Sequence, residues 1–524
     1  MRKLWLVLVI FMMATAMLFA GGGGQQTTTT ASGGAIRVEI FDRGTDGGRS
    51  LAYDNAWTKW VIEKVKKDLN IDVTFVPVGR WSEETDLVNL IAAGNAPDLC
   101  YTYNGGNVAN FRNQGGLLDL APYIDQYLPD LKTLLGADPA ITGQDFINRQ
   151  KDVNTGAIYS IQAARVALAQ RNIFIRKDWL DALRMPMPTS IEQFYTTLTA
   201  FRARATELPG GLTQARVVPF MTGDDIRWSL ADFMNHFMNS QTDRERWIRD
   251  IYESNFMVPG YKNGVQEMNK WYNENLIYRD FPLITTETDS NNILKSGVAG
   301  AFAGNWDSPF RVDTQINADL ARNVAGAEFV PVDLNLKNKS MMDKAGLYMF
   351  VPASSKNPIG ALRYLNWLAR PENYRFLQIG EVNVNHILEN GAPRIFAMPA
   401  NHPWIQNSAQ NIDMTMPMNG VQMGNDTLNA RVLALGYGAI ATSVIENAYA
   451  ISVKGARAPM IYIATTTVTQ YSQTLVDKRK TLLAQSVTAA TAQFSATYDR
   501  LYADWLASGA QQVYDERARL YPAR

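Results

Sequence analysis

From Ile36 to Tyr103 the spacing of apolar residues switches repeatedly between two periods, and this alternation limits the fold more than any other feature. Ile36, Val38 and Ile40 alternate with Arg37 and Glu39, the period of a strand. Trp57, Val61, Val65 and Leu69 then recur at helical spacing across residues 54–69. Residues 71–78 are rich in β-branched side chains and read as a second strand. Residues 85–93 return to helical spacing and end at Gly94, and after Ala96-Pro97-Asp98 residues 99–103 read as a third strand. Strand, helix, strand, helix, strand predicts an α/β unit with a mainly parallel sheet covered by helices.

A second α/β unit begins near Arg171. Residues 173–175 read as a strand and 178–183 as a short helix. Thr189 and Glu192 are spaced as a capping box ahead of Phe194, Leu198 and Phe201. Residues 297–303 form a small apolar strand running into Gly304-Asn305-Trp306-Asp307-Ser308-Pro309, where Ser308 is placed to cap a helix. Residues 328–331 are a candidate return crossing, 347–351 a strand and 358–369 a helix stopped by Pro371. The chain from 432 to 506 is mostly helical, without an internal repeat.

A length of 524 residues accommodates roughly three domains or two large lobes. With 50 basic and 50 acidic residues, no net field draws the chain to nucleic acid or an anionic membrane. Arg2 and Lys3 precede an apolar run from Leu4 to Met13, and small residues follow at Ala14, Ala16 and Ala20. That order predicts a secretory signal peptide over residues 1–20 and an extracytoplasmic, periplasmic protein. Residues 21–35 read as a flexible Gly/Thr-rich linker. The single cysteine, Cys100, lies far from the signal, so no lipid anchor and no internal disulfide are expected. In its apolar stretch Cys100 reads as a small buried hydrophobe.

Four segments together resemble the family 1 extracellular solute-binding proteins of bacterial ABC transporters, in particular the larger, oligosaccharide-type branch. They are Gly94-Asn95-Ala96-Pro97-Asp98; Asp178-Trp179-Leu180 followed by Pro188-Thr189-Ser190-Ile191-Glu192-Gln193-Phe194; Leu365-Asn366-Trp367-Leu368 with His386-Ile387-Leu388-Glu389-Asn390-Gly391; and Tyr498-Asp499-Arg500-Leu501 with Trp505-Leu506. The match is poor over 401–467. The resemblance implies a two-lobed periplasmic-binding-protein-like fold (type II) with a ligand cleft between the lobes. The N-terminal lobe would take residues 36–163 plus 334–400, and the C-terminal lobe 170–328 plus 410–524. It also implies capture of a carbohydrate, an oligosaccharide, for delivery to ABC permease transmembrane subunits, by a monomer that is not an enzyme. Some relatives that bind acidic polysaccharide carry an Asp-rich calcium loop. The matching stretch here, Thr206 to Leu212, has one carboxylate, too few for a cation that takes about 6–8 oxygens, so neither metal nor cofactor is expected.

In open α/β sheets ligands bind beyond the carboxyl ends of strands. That rule selects Asp42 and Arg43 after the first strand, Tyr103 and Asn104 after the third, and Asn305, Trp306 and Asp307 after the 297–303 strand. Such side chains answer sugar hydroxyls and ring faces. Trp306 is the best stacking candidate and Trp404 a second, with packing the plain alternative for each. Arg165, Arg171 and Arg176 stand near the first crossing, within reach of an anionic ligand group, with a surface ion pair as the plain alternative. Trp57, Trp271 and Trp367, within helical patterns, are assigned to the core. The competing class is a secreted carbohydrate-active hydrolase, which needs two opposed carboxylates. No serine elbow, phosphate loop or zinc motif is present, and His236, His386 and His402 are scattered.

Overall fold

The structure is a computed structural model describing residues 33–42, 51–80, 82–136, 147, 151–152, 155–223, 225–311, 314–395, 414–423, 425–437, 440–457 and 465–520. The expected signal peptide, most of the expected linker, Arg43, His402 and Trp404 lie outside these residues. The strands in chain order are β1 (Gly34–Asp42), β2 (Ile71–Gly79), β3 (Cys100–Thr102), β4 (Ile161–Arg165), β5 (Arg171–Arg176), β6 (Val218–Met221) and β7 (Ala299–Asn305). There follow β8 (Phe329–Val332), β9 (Lys339–Ser340), β10 (Ala345–Phe350), β11 (His386–Glu389), β12 (Ala392–Ile395), β13 (Met418–Asn419) and β14 (Ala456–Arg457).

β1 and β2 pair in parallel along their length, and a parallel bridge from Val38 to Leu99 leads on to β3. Two four-stranded sheets have the orders β13-β4-β10-β3 and β6-β7-β5-β8. The three strands read from the strand–helix alternation, β1, β2 and β3, thus run parallel as expected, whereas the two four-stranded sheets are mixed. In the first, β10 runs antiparallel to β3 and β4; in the second, β5 runs antiparallel to β7 and β8. The reason is the route of the chain. β5 is the strand by which the chain arrives in the second sheet, and β10 the strand by which it returns to the first. Each therefore starts at the edge where its neighbours finish: Arg171 sits opposite Asn305, and Ala345 opposite Ala164.

Each sheet has its own apolar core. Val38, Trp57, Val61, Tyr101, Leu347 and Trp367 centre the first, and Trp179, Phe194, Phe220, Trp271, Leu482 and Trp505 the second. The tryptophans read as core from helical spacing, Trp57, Trp271 and Trp367, are buried. The expected lobe boundaries need adjustment at two places. Leu334 and Leu336 pack in the second core, while Met414, Met416 and Met418 pack in the first. Pairing of β13 with β4, Met418 opposite Ala164, draws this methionine-rich stretch onto the first sheet, where unbranched side chains fill irregular gaps. β1 also begins inside the expected linker, at Gly34.

Two expected caps shift. The helix Ile191–Ala203 is capped by Ser190, whose Oγ accepts from the Gln193 N–H at 3.3 Å. Thr189 instead donates its N–H and hydroxyl to Gln193 Oε1. Ser308 opens a single 3-10 turn, Ser308–Phe310, and accepts the Thr314 hydroxyl on its carbonyl at 2.7 Å. Cys100 is buried, and burial together with the nearby Glu39 carboxylate pushes its thiol well above the usual range. Leu208 and Leu212, in the stretch considered for calcium, are core residues. Among the described residues no helix is long and apolar enough to cross a membrane.

Asp98, in the turn before β3, ties the first sheet to the helix Pro358–Leu368. One carboxylate oxygen accepts the Arg37 N–H at 2.8 Å. The other accepts the Ser355 hydroxyl at 2.6 Å and the N–H groups of Lys356 and Asn357 at 2.8 and 3.2 Å. Burial alone would raise its pKa, but these donors outweigh it and hold the carboxyl below the usual carboxylate range. Asp98→Ala should therefore lower the unfolding free energy in urea by about 3 kcal/mol, since buried donors are left without an acceptor. Because the folded pKa lies below the unfolded value of about 3.9, this stability is complete above that pH. It fades as pH falls through the folded value, so wild type and variant should converge only in strong acid.

Candidate functional site

Strand ends of both sheets adjoin the chain crossings, and the sequence-selected residues fall into two sets, one with each sheet. On the first sheet, Asp42 ends β1 and is exposed. Arg80 follows β2, with its guanidinium 4.4 Å over the Tyr103 ring and 5.3 Å from that of Phe41. It pairs at 3.3 Å with Glu83, a buried carboxylate that also accepts from Thr102 Oγ1 and the Tyr103 N–H at 3.2 and 3.1 Å. Arg80 thus lies against both rings, Tyr103 stacks on Phe41, and the Tyr103 hydroxyl accepts from Asn419 Nδ2 at 3.2 Å. Asn104 caps the helix Gly105–Asn113, taking the N–H groups of Gly106 and Asn107.

Arg165 ends β4. Its backbone N–H donates to the Lys344 carbonyl at 2.6 Å. Its guanidinium makes no hydrogen bond or ion pair among the described residues, and its Nε is buried without a partner. Burial pushes its pKa down, against the opposing pull of Tyr103 and the Asp343 carboxylate. The other two arginines near the crossing are internal rather than on the surface. Arg171 is 4% exposed and pairs with Asp232 at 3.1 Å, and Arg176 forks onto Asp178 at 2.7 and 2.6 Å.

On the second sheet, β6 and β7 end at a cavity of about 410 Å³. Thr222, Trp228, Ser229, Ser290, Asn291 and Asn305 contribute to its walls. Thr222 and Ser229 share a hydroxyl–hydroxyl hydrogen bond. Trp228 is half-buried, with the Arg171 guanidinium 4.7 Å over its ring, so one face is backed by a cation already neutralised by Asp232. The side-chain amides and hydroxyls here both donate and accept, as sugar hydroxyls require.

Trp306 is not the open platform expected. It is 8% exposed and packs edge-on against Tyr437 and Tyr449 at 6.0 and 5.6 Å. The cause is strand length: β7 runs to Asn305, and Trp306 still bonds to the neighbouring strand. Its N–H donates to the Gln170 carbonyl at 3.2 Å, and its own carbonyl accepts from Asn172 Nδ2 at 3.1 Å. Asp307 accepts the Tyr437 hydroxyl, a bond within the same unit. Asn305 alone of that trio lines the cavity.

Trp228 escaped the sequence reading because β6 did. Its run, Val217-Val218-Pro219-Phe220-Met221, contains a proline, which is tolerated because β6 is an edge strand. Had that strand been read, the carboxyl-end rule would have selected residues 222–229. Arg80 and Glu83 were likewise missed, although they follow the second strand directly.

The comparisons with known proteins agree with this architecture. The polygalacturonan/rhamnogalacturonan-binding protein YtcQ of Bacillus subtilis is 25% identical over 250 residues, 47% of this chain and 46% of that protein. The fructooligosaccharide ABC transporter substrate-binding protein FusA of Streptococcus pneumoniae is 24% identical over 177 residues, 31% of this chain and 30% of that protein. The chain thus spans about half the length of the first of these curated relatives, and less of the second. Among solved structures, the alginate-binding protein AlgQ2 superposes with a TM-score of 0.62 at 16% identity, covering 95% of this chain and 99% of that one. The extracellular solute-binding protein from Bifidobacterium longum subsp. infantis does so with a TM-score of 0.60 at 14% identity, covering 94% and 100%. At such identities the likeness is one of fold, the two-lobed α/β solute-binding architecture. The model of the bacterial extracellular solute-binding protein family matches residues 48–375, more than half of the sequence, and the chain belongs to that family.

Proposed function

We propose that the chain captures an oligosaccharide between two lobes and presents the closed form to the transmembrane subunits of an ABC importer. The single observation that carries this is Trp228, an aromatic platform backed by Arg171 at the wall of a hydroxyl- and amide-lined cavity beyond the ends of β6 and β7. Ring faces of sugars stack on such a surface while their hydroxyls find paired donors and acceptors. The names of the two curated relatives, both carbohydrate binders, support the ligand class.

In this reading the first lobe takes residues 33–165 and 345–419, and the second 171–340 and 426–520. The three crossings between them run side by side. Val166 donates its N–H to the Asn419 carbonyl at 2.9 Å, and Met342 donates to that of Leu168 at 2.8 Å. Bending at this ribbon would bring Tyr103 and Arg165 of one lobe toward Trp228 and Asn305 of the other. The ligand leaves intact and no bond is cleaved; the protein works outside the cytoplasm as a monomer.

A thermal-shift screen of the purified protein against neutral and acidic oligosaccharides and short peptides tests this. A sugar at 100 times its dissociation constant should stabilise the fold by about 2.7 kcal/mol and be recovered unchanged. Stabilisation by peptides alone, or a cleaved sugar, would overturn the reading. For the sugar so identified, Trp228→Ala should weaken binding by about tenfold or more, with an unchanged melting temperature of the free protein. X-ray scattering should record a smaller radius of gyration with that sugar than without it. An unchanged radius at saturation would sink the closure mechanism while leaving binding intact.

A further inference from the structure

Resting on the carbohydrate reading above, we propose that the ligand is an anionic oligosaccharide and that one of its carboxylate or sulfate groups sits against Arg165. Most arginines at the strand ends are charge-compensated. Arg80 is answered by Glu83, Arg171 by Asp232 and Arg176 by Asp178. Arg165 stands among them, at the end of β4, with no hydrogen bond or ion pair to its guanidinium within the described residues and with Nε buried. Arg165 is half-buried, so its guanidinium has lost part of its hydration without gaining a carboxylate, a cost that an incoming anion offsets. Its fork of donors matches the paired oxygens of a carboxylate or sulfate.

The groups facing it leave that place open. Tyr103 and Asp343 act on it electrostatically, and Asn419 lies opposite it across the β4–β13 pair. Asp343 does not ion-pair with it, and one of its carboxylate oxygens already accepts the Ala345 N–H at 3.0 Å. The helix Gly105–Asn113, which begins two residues after Tyr103, adds a positive end of the same sign. Since Asn104 already takes the N–H groups of Gly106 and Asn107, that helix contributes field more than contact. Arg165 adjoins the first crossing, so an anion held there touches the segment about which the lobes would bend.

Calorimetric titration of the purified protein tests this with four probes: trigalacturonate, its fully methyl-esterified form, a sulfated galactose trimer and the same trimer unsulfated. Wild type should bind an acid form at least about tenfold more tightly than its neutral counterpart, with affinity falling as salt rises. Preference within the first pair assigns a carboxylate, and within the second a sulfate. Arg165→Met should abolish the preference for the acid form with the far-UV circular dichroism of the protein unchanged, and Arg165→Lys should restore part of the preference. Equal binding of acid and neutral forms by wild type, or a preference that survives Arg165→Met, would overturn the proposal and leave sugar capture standing. No binding in any arm would overturn both.

Discussion

The ribbon of three crossing segments governs the rest of the molecule. Val166 is bonded to Asn419 and Leu168 to Met342, so among the described residues the chain passes between the sheets in adjacent stretches of backbone. Residues of the helix Thr442–Val453 clasp it from one side: the Tyr449 hydroxyl accepts the Leu168 N–H at 3.2 Å, and Ser452 Oγ the Gln170 N–H at 3.1 Å. Six peptide steps separate Arg165 from Arg171, which caps the distance between the two sheet edges at about 22 Å. The direction of β5 and β10 follows from that passage, and with it the alignment of strand ends that makes a site.

Charge is handled differently at the two edges. Around β5, every guanidinium near the crossing has a carboxylate in contact, and Trp228 gains a cation on one face without a net charge being left over. Around β3 and β4, Glu83 is committed three ways, to Arg80, Thr102 and Tyr103, and that commitment orients Tyr103. Arg165 is the residue left outside this scheme. Arg80, Arg171 and Arg176 each have a carboxylate in contact and Arg165 does not, and an anionic ligand group would remove that difference.

Much of this was legible in the sequence, and the failures have physical causes. The first α/β unit and the buried tryptophans followed from the period of the apolar residues. Beyond the first three strands sheet direction was not legible, because periodicity reports burial and says nothing of which neighbour a strand will have. Trp306 misled because β7 runs two residues past its expected end at 303 and Trp306 stays bonded beside Gln170 and Asn172. Of the other selected residues, Asp42, Tyr103, Asn104 and Arg165 share one edge, while Asn305 lines the cavity at the other. Trp228 was hidden behind a proline-bearing edge strand.

The asymmetry of the two edges bears on how closure could depend on ligand. A conformational equilibrium shifts only through contacts that differ between its states. The second edge offers a cavity that a sugar can occupy in either state, because residues of that unit alone line it. In the proposed closure, a sugar seated on Trp228 would gain Tyr103 and Arg165 of the first edge as the lobes approach. Stacking would thus supply affinity common to both states, whereas the first edge would supply the difference that favours closure. If so, the residues that hold the ligand and those that drive the motion lie in different lobes, and substitutions in the two should separate affinity from closure.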